Sequence, residues 1–89
     1  MREIQAPVVN PLGLHARAAA RFVHLAGQYV SHIQVGKNSR TVDGKSILGL
    51  LMLAAARGTT ITIRATGVDE DAAIDALAAF TARGFDDPV

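Results

Sequence analysis

The sequence predicts an α+β fold: an open-faced β-sandwich in the order β-α-β-β-α-β-α, its four-stranded antiparallel sheet carrying three helices on one face. Three observations lead there. Thr60 to Thr66 alternates strictly, with Ile61, Ile63 and Ala65 on one side and Thr60, Thr62, Arg64 and Thr66 on the other. Strands of antiparallel sheets with one wet face read this way. Ala19, Phe22, Val23 and Ala26 recur at i, i+3, i+4 and i+7, which draws one apolar stripe along a helix. Helical and alternating segments follow one another along a chain of 89 residues, a length that predicts one domain, 1–89, with a modest core and little room for a deep pocket. Function at a surface is therefore expected.

Each element has its own signal. In the first strand, 3–9, Ile4, Ala6 and Val8 alternate with Glu3, Gln5 and Pro7, and Pro7, which cannot donate to a ladder, suits an edge or a strand end. Asn10-Pro11-Leu12-Gly13 is turn chemistry. The first helix, 16–27, stops at Gly27 and sets Arg17, Arg21 and His24 on a face away from its apolar stripe. Strands follow at 32–36 and 40–43, and Asp43-Gly44 turns the chain toward Ser46. Ser46 precedes an apolar run that predicts a helix over 47–56, where its hydroxyl would cap an orphan N–H. After the strand at 60–66, a last helix over 70–83 gathers Glu70 and Asp71 in its first turn, where the dipole favours them. Its inner stripe is expected at Ile74, Leu77, Ala78 and Thr81.

Composition narrows the function classes. Nine Lys and Arg stand against eight Asp and Glu, a net charge of +1, too small to point to nucleic acid. The scarce aromatics, Phe22, Tyr29, Phe80 and Phe85, form no stacking pair on a strand. The cations Arg17, Arg21, Lys37, Arg40 and Lys45 precede the acids Asp69, Glu70, Asp71, Asp75, Asp86 and Asp87, so one end of the molecule is expected to be locally positive. The absence of cysteine excludes disulfides and thiolate chemistry. The opening residues do not resemble a signal peptide, and the run from Ile47 to Ala56 is about half a membrane span. A soluble cytoplasmic chain with no membrane insertion is expected.

His15 carries the candidate chemistry. A neutral imidazole nitrogen is a competent nucleophile toward phosphorus and a reasonable leaving group. Gly13-Leu14-His15-Ala16-Arg17 sets the ring at a helix start, where unpaired amides attract phosphate. Arg17 adds a forked cation and Arg21 lies one turn on. Gly13 and the alanines leave the approach clear. A lone histidine at a helix start is ordinarily a surface residue or a cap, as Ser46 is ordinarily a cap, and His24 and His32 are weaker candidates. The spacing of the histidines matches no metal motif, so neither metal nor cofactor is expected.

Two segments together resemble a known family. Asn10-Pro11-Leu12-Gly13-Leu14-His15-Ala16-Arg17-Ala18-Ala19 is similar to the active-site signature of the histidine-containing phosphocarriers (HPr family) of the bacterial phosphotransferase system. Asp43-Gly44-Lys45-Ser46-Ile47-Leu48-Gly49-Leu50 is similar to that family's regulatory-serine signature. The resemblance covers residues 3–85 and implies the same open-faced sandwich. It implies phosphorylation of His15 on Nδ1 by Enzyme I, itself charged from phosphoenolpyruvate, transfer to an Enzyme IIA domain, and an Arg17 that steadies the phosphoryl group. It also implies a serine kinase acting on Ser46 in some lineages; Lys45 and Arg40, nearby in the sequence, are candidate cations for that phosphate. Sugar-type carriers usually have proline at the position of Ala18; alanine serves a helix equally well, and His-Ala-Arg-Ala-Ala-Ala and Gly84-Phe85-Asp86 resemble the nitrogen-type branch.

The second helix is apolar almost all round. Ile47, Leu50 and Leu53 are expected inside, with Leu48, Leu51 and Met52 partly exposed beside His15 as a docking patch, Met being adaptable to more than one partner. The resemblance implies partner contacts through Ala16, Arg21, Ile47, Leu48, Gly49, Leu51 and Met52 on a monomer. A phosphoryl carrier, not an enzyme with turnover of its own, is the leading class. A regulatory docking module of the same fold that carries no phosphate is the alternative.

Overall fold

The structure, a computed structural model, describes residues 1–88. Strands β1 (Arg2–Pro7), β2 (His32–Lys37), β3 (Arg40–Asp43) and β4 (Thr60–Thr66) alternate with helices α1 (Ala16–Ala26), α2 (Ile47–Met52) and α3 (Glu70–Ala82), and a 3-10 turn, Gly84–Asp86, follows α3. The sheet runs β1-β4-β2-β3 with every neighbouring pair antiparallel. The register brings Ile4 and Val35 to either side of Ile63, and Val42 opposite Val35. The alternation predicted for β4 is met: Ile61, Ile63 and Ala65 are fully buried, while Thr60 and Thr66 are exposed. On the wet face Arg64 donates from Nε and a terminal nitrogen to Glu3 across the ladder. The edge position suggested by Pro7 is also met, β1 ending on that residue at the sheet's margin.

The helices cover the apolar face. Ala18, Ala19, Phe22 and Ala26 of α1 and Ala73, Ile74, Leu77 and Phe80 of α3 join Ile33, Val35, Ile61 and Ile63 in one core. Burying each large side chain there stabilises the fold by about 1.5–3 kcal/mol. In α3 the inner stripe differs by one position: Phe80 is buried where Ala78 is only partly so. Phe80 is turned in by its aromatic neighbours, 5.7 Å from the Phe85 ring and 6.5 Å from that of Phe22, centroid to centroid.

Helix α2 departs most from expectation, ending at Met52 instead of residue 56. Ala54 takes a left-handed φ of +50°, which no α-helix continues. The last carbonyls find partners in the hairpin. Arg40 donates to Met52 O at 2.9 Å, and Lys37 Nζ to Leu53 O and Ala54 O at 3.3 and 3.0 Å. The rotation of α2 also differs. Ile47, expected inside, is 42% exposed, while Leu50 and Leu53 are buried as expected. The reason is Gly49, which comes so close to β3 that a Cβ on it would lie 3.3 Å from Val42 Cβ. With Gly49, Leu50 and Leu53 facing the core, Ile47 lies roughly a third of a turn outside that face.

Candidate functional site at the start of α1

The turn before α1 is built on glycine. Gly13 has φ +66°, and a Cβ there would stand 2.4 Å from Ala55 O. Its close approach lets Leu14 N–H donate to Ala55 O at 2.9 Å, tying the turn to the segment after α2. The Gly13 N–H returns to Asn10 O, closing the turn at 3.1 Å.

His15 is the N-cap of α1. Its backbone is extended, with φ −81° and ψ −179°, and its carbonyl accepts the first helical bond, from Ala19 N–H at 2.8 Å. The amides of Ala16, Arg17 and Ala18 precede that bond. Arg17 N–H donates to His15 Nδ1 at 3.3 Å, so Nδ1 presents a lone pair to the helix N-terminus, where the amides and the dipole favour negative charge. The Arg17 guanidinium is exposed and makes no hydrogen bond or ion pair among the described residues.

The other ring nitrogen is not free. Nε2 lies 3.0 Å from Asp87 Oδ2, and the Asp87 side chain is only 4% exposed against 26% for His15. Asn10 Nδ2 binds the same carboxylate oxygen at 3.1 Å and Gly13 O at 2.8 Å, while Arg21 approaches Asp87 Oδ1 at 3.6 Å. The Asn10 hydrogen bond, with lesser contributions from His15 and Arg21, holds the Asp87 carboxyl below the usual carboxylate range against the opposing effect of desolvation. Since Nδ1 accepts and a carboxylate cannot donate, one tautomer satisfies both contacts: the Nε2 hydrogen donates to Asp87.

The chain reaches that position through an unusual turn. Gly84, Phe85 and Asp86 have consecutive φ values of +69°, +59° and +53°, and a non-glycine residue there costs about 1–2 kcal/mol. Phe85 is fully buried against Phe80, and Arg21 donates to Phe85 O and Asp86 O at 3.5 and 3.4 Å. The acidic tail thus folds back onto Arg21 and His15. Asp87 and Asn10 were not among the sequence candidates. The available signals were a buried-type Phe85 just past the last helix and an Asn opening the turn before His15.

At the start of α2, Ser46 Oγ accepts from Gly49 N–H at 3.0 Å, the cap expected of it. Lys45 and Arg40, the candidate cations beside it, are engaged elsewhere: Lys45 Nζ donates to Tyr29 O at 2.7 Å, and Arg40 sits at the other end of the helix. Ile47, Leu48 and Met52 are exposed by 42, 70 and 58%, Leu51 and Gly49 are partly covered, and Ala16 is exposed. Among the described residues no three His, Asp or Glu side chains gather as a metal site, and no helix is long and apolar enough to cross a membrane.

A family model described as the phosphorylation site of the HPr component of the phosphotransferase system matches residues 2–83. The chain is 50% identical over 78 residues to the phosphocarrier protein HPr of Cupriavidus necator, covering 88% of each. It is 41% identical over 85 residues to the phosphocarrier protein NPr of Shewanella violacea, covering 96% of this chain and 93% of that one. A crystal structure of HPr-C-His from Thermoanaerobacter tengcongensis superposes with a TM-score of 0.94 at 37% identity over the whole of both chains. The fold, the two signatures and these likenesses agree, and the chain belongs to the HPr family of phosphotransferase-system phosphocarriers, with similarity reaching its NPr branch.

Proposed function

We propose that this chain accepts a phosphoryl group on His15 Nδ1 from phosphorylated Enzyme I and passes it to an Enzyme IIA domain in the cytoplasm. The observation that carries the reading is the pairing of an Nδ1 lone pair, aimed at the first amides of α1, with a neighbouring Arg17 guanidinium that is unengaged among the described residues. In the transfer the donor's P–N bond breaks, its electron pair returns to the donor nitrogen, and the Nδ1 lone pair forms the new N–P bond. The Arg17 N–H, which points at Nδ1 beforehand, is placed to meet a phosphoryl oxygen afterwards. The Arg17 guanidinium supplies charge to the moving oxygens.

Partners would dock on Ala16 and the outer face of α2: Ile47, Leu48, Gly49, Leu51 and Met52. An apolar centre with a cationic edge suits brief contact with more than one protein. Arg21 is proposed as a partner contact as well, and it also holds the tail through Phe85 O and Asp86 O. All the groups used come from one chain, so a monomer suffices. Ser46 is read as a cap that a serine kinase reaches only where one is present. The test is incubation with phosphoenolpyruvate and Enzyme I, followed by intact mass. One acid-labile phosphate that then moves to an Enzyme IIA is expected. A chain that docks Enzyme I and stays unlabelled would establish the non-carrying module instead.

A further inference from the structure

We propose that Asp87 is a positioning residue for His15: its carboxylate holds the Nε2 hydrogen and covers that side of the ring, leaving Nδ1, whose partner is the long 3.3 Å contact from the Arg17 N–H, as the nitrogen that phosphorus reaches. The inference rests on the carrier reading and extends it to a group that neither signature contains. Asp87 does not drift against the ring. It is fixed by the buried Phe85 two residues before it, by Arg21 on the intervening carbonyls, and by Asn10, which joins the carboxylate to the turn that sets His15. The run of left-handed residues aims it, and such conformations persist where the surroundings over-determine them and often where a site needs them.

The chemistry balances without an extra proton. The Arg17 N–H releases Nδ1, whose lone pair then goes to phosphorus while the Nε2 hydrogen stays in place. The phosphorylated ring then carries positive charge, and the carboxylate 3.0 Å from Nε2 stabilises it. Asn10 donates to the same Asp87 oxygen that meets His15, and Arg21 stands 3.6 Å from the other, so both neighbours favour the ionised carboxylate. When the phosphoryl leaves, the N–P pair returns to Nδ1 and the neutral tautomer is restored.

The distinguishing measurement is which nitrogen takes phosphate. Phosphoramidate, a small donor whose P–N bond breaks as ammonia leaves with a solvent proton, phosphorylates exposed imidazoles without any protein partner. The full-length parent chain, D87N and D87A are treated with it, and the isomers are read by 31P and 15N NMR. The parent is expected to carry phosphate on Nδ1, and D87A to show the Nε2 isomer as well. D87N, which keeps the shape of the side chain and loses its charge, should fall between them. With Enzyme I as donor, D87A should be phosphorylated more slowly, by up to about 100-fold, the loss expected when a reacting group shifts by about 1 Å from its fixed orientation. A D87A protein with the parent's isomer pattern overturns the proposal, as does a parent labelled on Nε2. A parent that takes phosphoramidate on Nδ1 but nothing from Enzyme I would leave the positioning role standing and defeat the carrier reading.

Discussion

Helices α1 and α2 each begin on a side chain that caps them. His15 Nδ1 takes the Arg17 N–H at 3.3 Å, and Ser46 Oγ takes the Gly49 N–H at 3.0 Å. Around His15 the nearest cation, Arg17, is unengaged among the described residues, and the far side of the ring is gripped by Asp87. Around Ser46 the cations are committed to carbonyls elsewhere, and α2 has six residues against eleven in α1. A cap is therefore not a reactive site by virtue of its position. The difference lies in whether charge is left available next to it and whether a second contact fixes the group's orientation.

The sharpest way to break the comparison is to remove the histidine. H15A is expected to lose all phosphoryl uptake from Enzyme I by intact mass, with H24A and H32A labelled like the parent; ordinary labelling of H15A would end the assignment. Next in size is Arg17. R17A should slow uptake on the order of 100-fold while its stability stays within about 0.5 kcal/mol of the parent, as for other exposed sites. R21A should do the opposite in kind, lowering the melting temperature more than R17A because it releases the carbonyls of Phe85 and Asp86. Equal uptake rates for R17A and the parent would contradict the role given to the guanidinium.

At the other helix the effects are smaller. S46D should keep the fold and slow His15 phosphorylation a few-fold at low salt. The cause is negative charge beside the patch of Ile47, Leu48 and Met52, proposed above as the landing site of a phosphorylated donor, and the slowing should fade as salt rises. S46A should lose about 1 kcal/mol of cap energy and leave transfer intact. Stopped reactions at two salt concentrations, with melting curves, decide both; an S46D protein as fast as the parent at low salt leaves Ser46 a cap and nothing more.

The smallest effect is a pH dependence. The Asp87 carboxyl is held below its ordinary range, chiefly by Asn10, so its contribution to stability is complete above about pH 4, the unfolded value, and is lost as pH falls through the lower folded value. The difference in melting temperature between the parent and D87N should therefore hold at neutral pH and shrink below pH ~4. A difference that is constant from neutral pH to pH ~3 would show that the carboxylate's charge does not matter to the tail.

Much of the molecule was legible from short-range pattern. Ile61, Ile63 and Ala65 announced β4, and Ala19, Phe22 and Ala26 the inner face of α1, because backbone period alone decides which side chains share a face. His15 and Arg17 could be read as a site because a helix start has its own chemistry wherever it lies. The length of α2 does not follow from local pattern, because its apolar run continues past the point where Lys37 and Arg40 reach across from the hairpin to take its last carbonyls. Nor does the exposure of Ile47, because six residues of nearly uniform hydrophobicity carry no preferred face; the close approach of Gly49 to Val42 selects one.

By itself, then, the sequence determined the order of elements, a turn at Asn10-Pro11-Leu12-Gly13, and a histidine at a helix start with an arginine two residues on. These depend on φ/ψ sterics, side-chain period and hydrogen bonds spanning a few residues. The tertiary structure alone decided what stands behind the ring. Asp87 is 72 residues from His15 and 77 from Asn10. Two adjacent aspartates near the end of a chain read locally as a solvated tail. They come to the site because Phe85 is drawn into a core assembled from the whole chain, and the energy of that burial holds the left-handed turn that points Asp87 at the imidazole.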